Sequence, residues 1–170
     1  MDVFMVVMRL IHIFAAVYWV GAGIFVAAML LPALRNQNAD GDRFFLAIFK
    51  HTRFELSMPV SALLTTLAGL VLYDRVFDHF NADWMQSSAG IVLTIGSLAG
   101  IAAFLHGGAA IGRTTGKYHA ALKAVYEGPE PTQEQQETLE RVRAKIMRQA
   151  PTSLVMQLVA LVGMAAARYM

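Results

Sequence analysis

The chain contains no cysteine and few charged residues. Without a thiol it can form neither a disulfide nor a thiolate metal site, and it has no cysteine nucleophile. Asp, Glu, Lys and Arg make up 15% of its 170 residues, against about a quarter in a soluble domain of ordinary composition. Hydrophobic residues make up 56%, and the mean hydropathy is +0.49. This balance argues against a soluble domain and favours an integral membrane protein.

Four apolar runs are each long enough to cross a bilayer as a helix, for which about 20 residues suffice. They cover about residues 10–34, 56–73, 89–112 and 151–167. Because the runs are continuous and do not alternate with polar residues, they predict helices, which satisfy their own backbone hydrogen bonds in lipid. The first run has no basic region before it and no small-residue cleavage site, so we interpret it as a retained span. The sequence predicts an all-α integral membrane four-helix bundle, with residues 1–170 as a single membrane domain.

The polar connection between the third and fourth spans, about residues 113–150, is much longer than the others. Within it, "KYHAALKAVYE" predicts a helix and "GPEP" a break. Thr132 and Gln135 have the spacing of a capping box, which predicts an extra helix leading into the fourth span. Pro151 predicts either a kink or the start of a new helix there.

The first connection contains "RNQNADGD", which predicts a turn with Asp40 or Asp42 as the N-cap of the next helix. Residues 44–54 mix aromatic and basic side chains. We expect them either to continue the second helix beyond the membrane or to lie at the membrane surface.

The basic residues are unevenly distributed over the two sides of these spans. Eleven of the 14 Lys and Arg residues lie in the first and third connections, and three lie on the opposite side. Cytoplasmic connections carry an excess of Lys and Arg. We therefore expect a multi-pass protein of the bacterial inner membrane with the long connection in the cytoplasm and both termini on the other side.

His12 and Arg9 lie in the first span, where ionisable side chains are costly and usually mark a function. Helical spacing places a set of residues on about one face: Met5, Met8, Arg9, His12, Ala15, Ala16, Trp19 and Gly23. A neutral His12 could give Nε2 to haem iron while Arg9 pairs with a propionate. Alternatively, His12 bonds a neighbouring helix and Arg9 extends to the headgroups. Thioether and imidazole ligands also suit Cu(I), so Met5, Met8 and His12 form an alternative copper site.

His106 is the second histidine inside a span. Its helical neighbours are small except for one cation: Ala99, Ala102, Ala103, Ala109, Ala110 and Arg113. Such a face either leaves a slot for a flat cofactor or lets two helices pack closely. His106 is thus a second candidate ligand for haem iron, with Arg113 beside it.

Three further histidines lie outside the spans. His51 and His119 are near many cations on the expected cytoplasmic side, and we expect them to be solvated. His79, beside acidic residues in the second connection, is either a metal ligand or polar surface.

The first span, "LIHIFAAVYWVGAGIFVAAMLLPALR", resembles that of small four-helix bacterial membrane proteins of the CopD-like and HemJ-like type. The shared elements are His12 after an aliphatic residue, Trp19, Gly21, Gly23 and a closing Leu-Pro. The second span is also similar, with Arg53 at its entry, Pro59, and a Thr-Leu-Ala-Gly segment that ends at Gly69. The resemblance implies haem b, which is associated with the HemJ-type proteins, or copper, which is associated with the CopD-like domains.

We therefore expect a membrane protein that binds haem b for electron transfer or haem handling, with haem-dependent oxidoreductase activity as a further expectation. The expected cofactor-binding residues are His12, His106, Arg9, Trp19 and Arg113. One alternative is a copper-handling membrane protein, and another is a cofactor-free structural subunit of a larger membrane complex. Expected partners are membrane lipid and either other subunits of a redox complex or further copies of this chain. No feature indicates a nucleic acid as a partner.

Overall fold

The computed structural model of the chain describes residues 2–35, 37–76 and 82–170. These residues are almost entirely helical and include no strand. Their helices, in chain order, are α1 Val3–Leu34, α2 Asn38–His51, α3 Phe54–Val76, α4 Ala82–Met85, α5 Ser88–Tyr126 and α6 Gln133–Ala166. A short 3-10 turn, Ala167–Tyr169, follows α6.

Four of these helices, α1, α3, α5 and α6, are long and apolar enough to cross a membrane. Each contains one of the four apolar runs, so the prediction of an all-α chain with four candidate spans is confirmed. Large apolar side chains on α1 point away from the protein, with Phe14 71% and Val17 68% exposed. Exposed apolar area costs about 25 cal/mol per Å² in water. Such surfaces suit a hydrocarbon solvent and are those of a multi-pass membrane protein.

Two of the long helices contain a π-helical turn. In α1 it covers Phe25–Leu30, and in α5 it covers Gly107–Gly112, directly after His106. π-Helical turns are rare and occur often at functional sites.

Beyond its apolar run, α5 continues as a polar helix to Tyr126, and α6 begins 18 residues before Pro151. The start of α6 carries the predicted capping box. The Thr132 N–H donates to Gln135 Oε1 over 2.9 Å, and the Gln135 N–H donates to Thr132 Oγ1 over 3.3 Å. The helix then runs through Pro151 without a new start.

In the first connection, the structure excludes one of the two predicted alternatives. Residues 44–54 do not continue α3, because α2 is a separate helix and Thr52 has an extended backbone (φ −127°, ψ 166°). Its Oγ1 donates to the Ile48 carbonyl over 2.7 Å and accepts the Phe54 N–H over 3.2 Å, which ends one helix and begins the next. The N-cap of α2 is Gln37, so the prediction of Asp40 or Asp42 there is wrong.

The chain divides into two compact units. Unit 1 comprises Met1–Ala22, Val60–Leu105 and Val155–Met170, and unit 2 comprises Gly23–Pro59 and His106–Leu154. Unit 1 therefore contains the amino-terminal part of α1, most of α3, the first part of α5 and the end of α6.

Contacts within unit 1 connect its helices in the order α1, α3, α5 and α6. His12 of α1 bonds α3, and the Tyr73 hydroxyl of α3 is 2.8 Å from Thr94 Oγ1 of α5. α5 and α6 cross at Gly96 and Gly163, where a Cβ added to Gly163 would lie 2.7 Å from the Gly96 Cα. Two glycines permit this close approach of helix backbones.

Unit 2 has a core formed by buried apolar side chains from four helices: Leu31, Phe45, Leu46, Phe49, Tyr118, Ala121, Leu122, Leu139 and Ala150. Its aromatic rings pack edge to face, with the Tyr118 ring 5.8 Å from Phe45 and 6.3 Å from Phe49. This geometry is the favoured one for aromatic pairs. It holds α2 against the polar part of α5.

Candidate functional site

His12 of α1 forms a hydrogen bond to the backbone of α3. Its Nδ1 is 2.8 Å from the Thr65 carbonyl oxygen, and the ring is half-buried within unit 1. A carbonyl oxygen can only accept, so Nδ1 is the protonated nitrogen. In neutral imidazole, the other nitrogen then has a free lone pair. The structure therefore presents His12 with Nε2 as a potential ligand atom.

The His12 ring lies in a gap left by Gly69 of α3. A Cβ added to Gly69 would lie 2.8 Å from His12 Cε1 and 3.0 Å from Nδ1. Real Cβ atoms essentially never approach another atom to less than 3.0 Å, so the contact with Cε1 would force a shift. The Thr-Leu-Ala-Gly segment of the second span thus has a physical role, because its glycine admits the imidazole.

The predicted face of α1 is largely reproduced in the burial pattern of unit 1. Met5, Met8 and His12 are half-buried, and Trp19 is almost fully buried. Arg9 is exposed in the isolated chain, so the structure does not place it with this buried edge. The Met and Trp side chains share the helical face of His12, whereas Arg9 lies at its margin.

His106 belongs to unit 2, at the residue before the π-helical turn of α5. Its Nδ1 is buried and has no hydrogen-bond partner among the described residues. An unpartnered buried polar atom costs about 1–3 kcal/mol. Arg113 is exposed, and Ala103, on the unit 1 part of α5, is fully buried. His12 and His106 thus lie in different compact units, and each stands as a separate candidate.

Unit 1 also contains a buried polar atom without a hydrogen-bond partner among the described residues. The Gln157 side chain on α6 is 4% exposed, and its Oε1 has no partner within the described ranges. Nothing in the sequence singled out this glutamine. Its position in an otherwise apolar run was the one available signal, since a buried amide in lipid needs a partner.

Across residues 2–35, 37–76 and 82–170, no three His, Asp or Glu side chains form a group that could hold a metal ion. His79 lies outside the described residues. A metal centre held by these residues would therefore need ligands other than a group of three such side chains.

His119 of unit 2 is more enclosed than expected. Its Nδ1 is 2.8 Å from Glu55 Oε2, its side chain is 24% exposed, and its ring lies 4.9 Å from that of Phe49. His119 is thus only partly solvated, whereas His51 is exposed as predicted. The nearby Lys50 Nζ donates to Glu127 Oε1 over 2.8 Å, and this bond lowers the pKa of Glu127.

A buried carboxylate forms the most extensive polar cluster of unit 2. Asp42 is 1% exposed. Its Oδ1 accepts the Tyr118 hydroxyl over 2.8 Å and Arg143 Nε over 3.0 Å, and its Oδ2 accepts the Tyr126 hydroxyl over 3.1 Å and Arg143 Nη2. Each oxygen is thus satisfied, and the cluster connects α2, α5 and α6.

Sequence reasoning missed this cluster. It treated Asp42 as a candidate N-cap and Arg143 as one of many cytoplasmic cations. The donors are separated from Asp42 by 76, 84 and 101 residues along the chain. No local pattern connects residues so far apart.

Comparison with family models, curated proteins and solved structures gives no match to this chain.

Proposed function

We propose that this chain is a multi-pass protein of the bacterial inner membrane that binds haem b in unit 1, where His12 would hold the haem iron, for electron transfer or haem handling. The observation that carries the proposal is the hydrogen bond between His12 Nδ1 and the Thr65 carbonyl, which in a neutral ring puts the free lone pair on Nε2. Histidines that ligate metals almost always donate their other ring N–H to a carbonyl or a carboxylate. His12 therefore has, in the Thr65 carbonyl, the hydrogen-bond acceptor that is usual for a metal-ligating histidine.

The residues present fit haem better than they fit a bare metal ion. A porphyrin supplies its own equatorial nitrogens, so one or two axial side chains suffice. This agrees with the described residues, among which no three His, Asp or Glu side chains form a group that could hold a bare metal ion. The buried Trp19 on the same face provides an apolar wall.

The proposal also assigns roles to Arg9, His106 and Arg113. Arg9, three residues before His12 and exposed, would pair with a propionate at the edge of the site. His106 of unit 2, with its unpartnered buried Nδ1, is a separate candidate ligand for haem iron, and Arg113 follows it on the same helix. When bound, haem b supplies one-electron redox chemistry, and the chain supplies the ligand and the surrounding low dielectric.

The orientation of the chain follows from the basic residues of the polar extensions. The proposed cytoplasmic side contains the first connection and the polar parts of α5 and α6, and both termini lie on the opposite side. Lys and Arg next to an anionic leaflet each add about 1 kcal/mol of attraction. His12 then lies in the outer half of its span.

The test is a visible absorption spectrum of the purified full chain, compared with two histidine variants. We expect a Soret band with sharp reduced α and β bands, and we expect His12→Ala to lose them while it still inserts into membranes. His119→Ala is the matched control, since it removes an imidazole outside the proposed site and should retain the spectrum. If His12→Ala retains a full haem complement and an unchanged spectrum, His12 is not a ligand.

Copper handling is the second candidate, because Met5 and Met8 are half-buried on the face of His12. Thioether and imidazole together suit Cu(I). Stoichiometric copper in the purified protein, lost in Met8→Leu, would favour this candidate over haem. A colourless preparation without metal would instead favour a structural subunit of a larger complex.

A further inference from the structure

We infer that Gly69 is the positioning residue of the His12 site: its missing side chain opens the Thr65 carbonyl to the imidazole and thereby keeps Nε2 free to ligate. This inference rests on the proposed function for the identity of the ligand. The state of the ring itself is independent of any cofactor and can be measured in its absence.

The helix geometry of α3 explains why residue 69 controls access to that carbonyl. In an α-helix, the Thr65 carbonyl accepts the N–H of residue 69 and has a second lone pair for another donor. Helical side chains lean towards the N-terminus, so the side chain of residue 69 covers the turn that contains this carbonyl. Only glycine leaves it open from the side, and His12 Nδ1 approaches there to 2.8 Å.

The added atom of an alanine would occupy the position of the ring itself. It would lie 2.8 Å from Cε1, 3.0 Å from Nδ1 and 4.0 Å from Nε2 of His12. The contact therefore requires a shift. The ring must turn about its side-chain torsions or the two helices must separate, and we expect either movement to weaken the bond to Thr65.

Loss of that bond removes the preference for a proton on Nδ1. The tautomer with the proton on Nε2 then becomes populated, and in that form Nε2 has no lone pair for a metal. The same substitution therefore changes the tautomer and weakens ligation, whereas a loss of packing alone would change neither.

The other glycines of unit 1 provide matched controls. A Cβ at Gly21 meets nothing within 4 Å. One at Gly96 would lie 3.0 Å from the Met164 backbone nitrogen and 3.1 Å from the Gly163 Cα. Gly96→Ala therefore strains a helix crossing without touching His12, and Gly21→Ala strains nothing.

The experiment measures the histidine ring nitrogens by NMR in the full chain in detergent without haem, and then the affinity for added haem b per folded molecule. We expect the wild-type His12 signal to be that of the Nδ1–H tautomer. Gly69→Ala should give a mixture of tautomers and about 10–100-fold weaker haem binding, the usual effect of losing the group that orients a ligand. Gly96→Ala should lower thermal stability, and Gly21→Ala should not lower it. Both controls should retain the wild-type tautomer and haem affinity.

A double-mutant cycle covers the case in which Gly69→Ala reduces the folded yield. If the substitution acts through the His12 ring, its effect on thermal stability should largely disappear in a His12→Ala background, where the space is free. An equal loss in both backgrounds would overturn the inference.

The remaining outcomes separate the inference from the proposed function. An unchanged tautomer and unchanged haem affinity in Gly69→Ala would overturn the positioning role. A tautomer that changes in Gly69→Ala, in a protein that binds no haem as wild type, would support the positioning role and reject haem as the ligand.

Discussion

Replacement of Asp42 by Asn should destabilise unit 2 substantially. The substitution preserves the size of the side chain but removes its charge and one acceptor oxygen. The carboxylate accepts hydrogen bonds from Tyr118, Tyr126 and two nitrogens of Arg143. An amide oxygen can accept about two, and its NH₂ group would face donors. A tyrosine hydroxyl can rotate to accept instead, but a guanidinium cannot.

The magnitude follows from the burial of the two partners. Removal of one partner of a buried ion pair costs about 3–5 kcal/mol. The Asp42 side chain is 2% exposed, whereas that of Arg143 is 25% exposed and can recover some hydration. We therefore expect a loss at the lower end of that range, about 3 kcal/mol. By the usual scaling for proteins of 150–250 residues, this corresponds to a fall in Tm of about 6–12 °C.

The assay is thermal unfolding of the full chain in detergent, followed by the loss of helical circular dichroism. Asp40→Asn is the matched control, because Asp40 is exposed in the first turn of the same helix. It should lose only the helix-dipole interaction, about 0.3–1 kcal/mol. Tyr126→Phe should lie between the two, since the carboxylate would retain its other donors.

Equal effects of Asp42→Asn and Asp40→Asn would refute this reasoning. So would a Tyr126→Phe variant less stable than Asp42→Asn, because one phenol cannot contribute more than the acceptor on which all the donors converge.

Two further predictions concern unit 1 and the orientation of the chain. Gly163→Ala should lower thermal stability by about 1–3 kcal/mol through overpacking, because its Cβ would lie 2.7 Å from the Gly96 Cα. Gly100→Ala should change thermal stability by less than about 0.5 kcal/mol, since its nearest neighbour would be 3.5 Å away. Equal losses of stability in the two variants would contradict the close helix crossing at Gly163. Protease added to right-side-out vesicles should leave residues 133–149 intact and should cut them in inverted vesicles. Cleavage in the right-side-out preparation would reverse the proposed topology.

The sequence by itself determined the parts of this protein that depend on neighbouring residues. Each long helix satisfies its backbone hydrogen bonds internally, so a run of apolar residues is enough to predict a span. The capping box at Thr132 and Gln135 follows a fixed local spacing, and the structure reproduces it. The buried face of α1 around His12 likewise follows from the helical period.

The tertiary structure decided which groups the functional side chains contact. His12 meets a carbonyl 53 residues away, and the donors to Asp42 lie 76 to 101 residues away. Gly69 was visible as part of a motif, but its purpose depends on which ring faces it across two helices. Such pairings depend on how helices pack, and packing is a property of surfaces brought together by the whole chain. A local pattern specifies the faces that a helix presents, whereas only the folded chain specifies what each face meets.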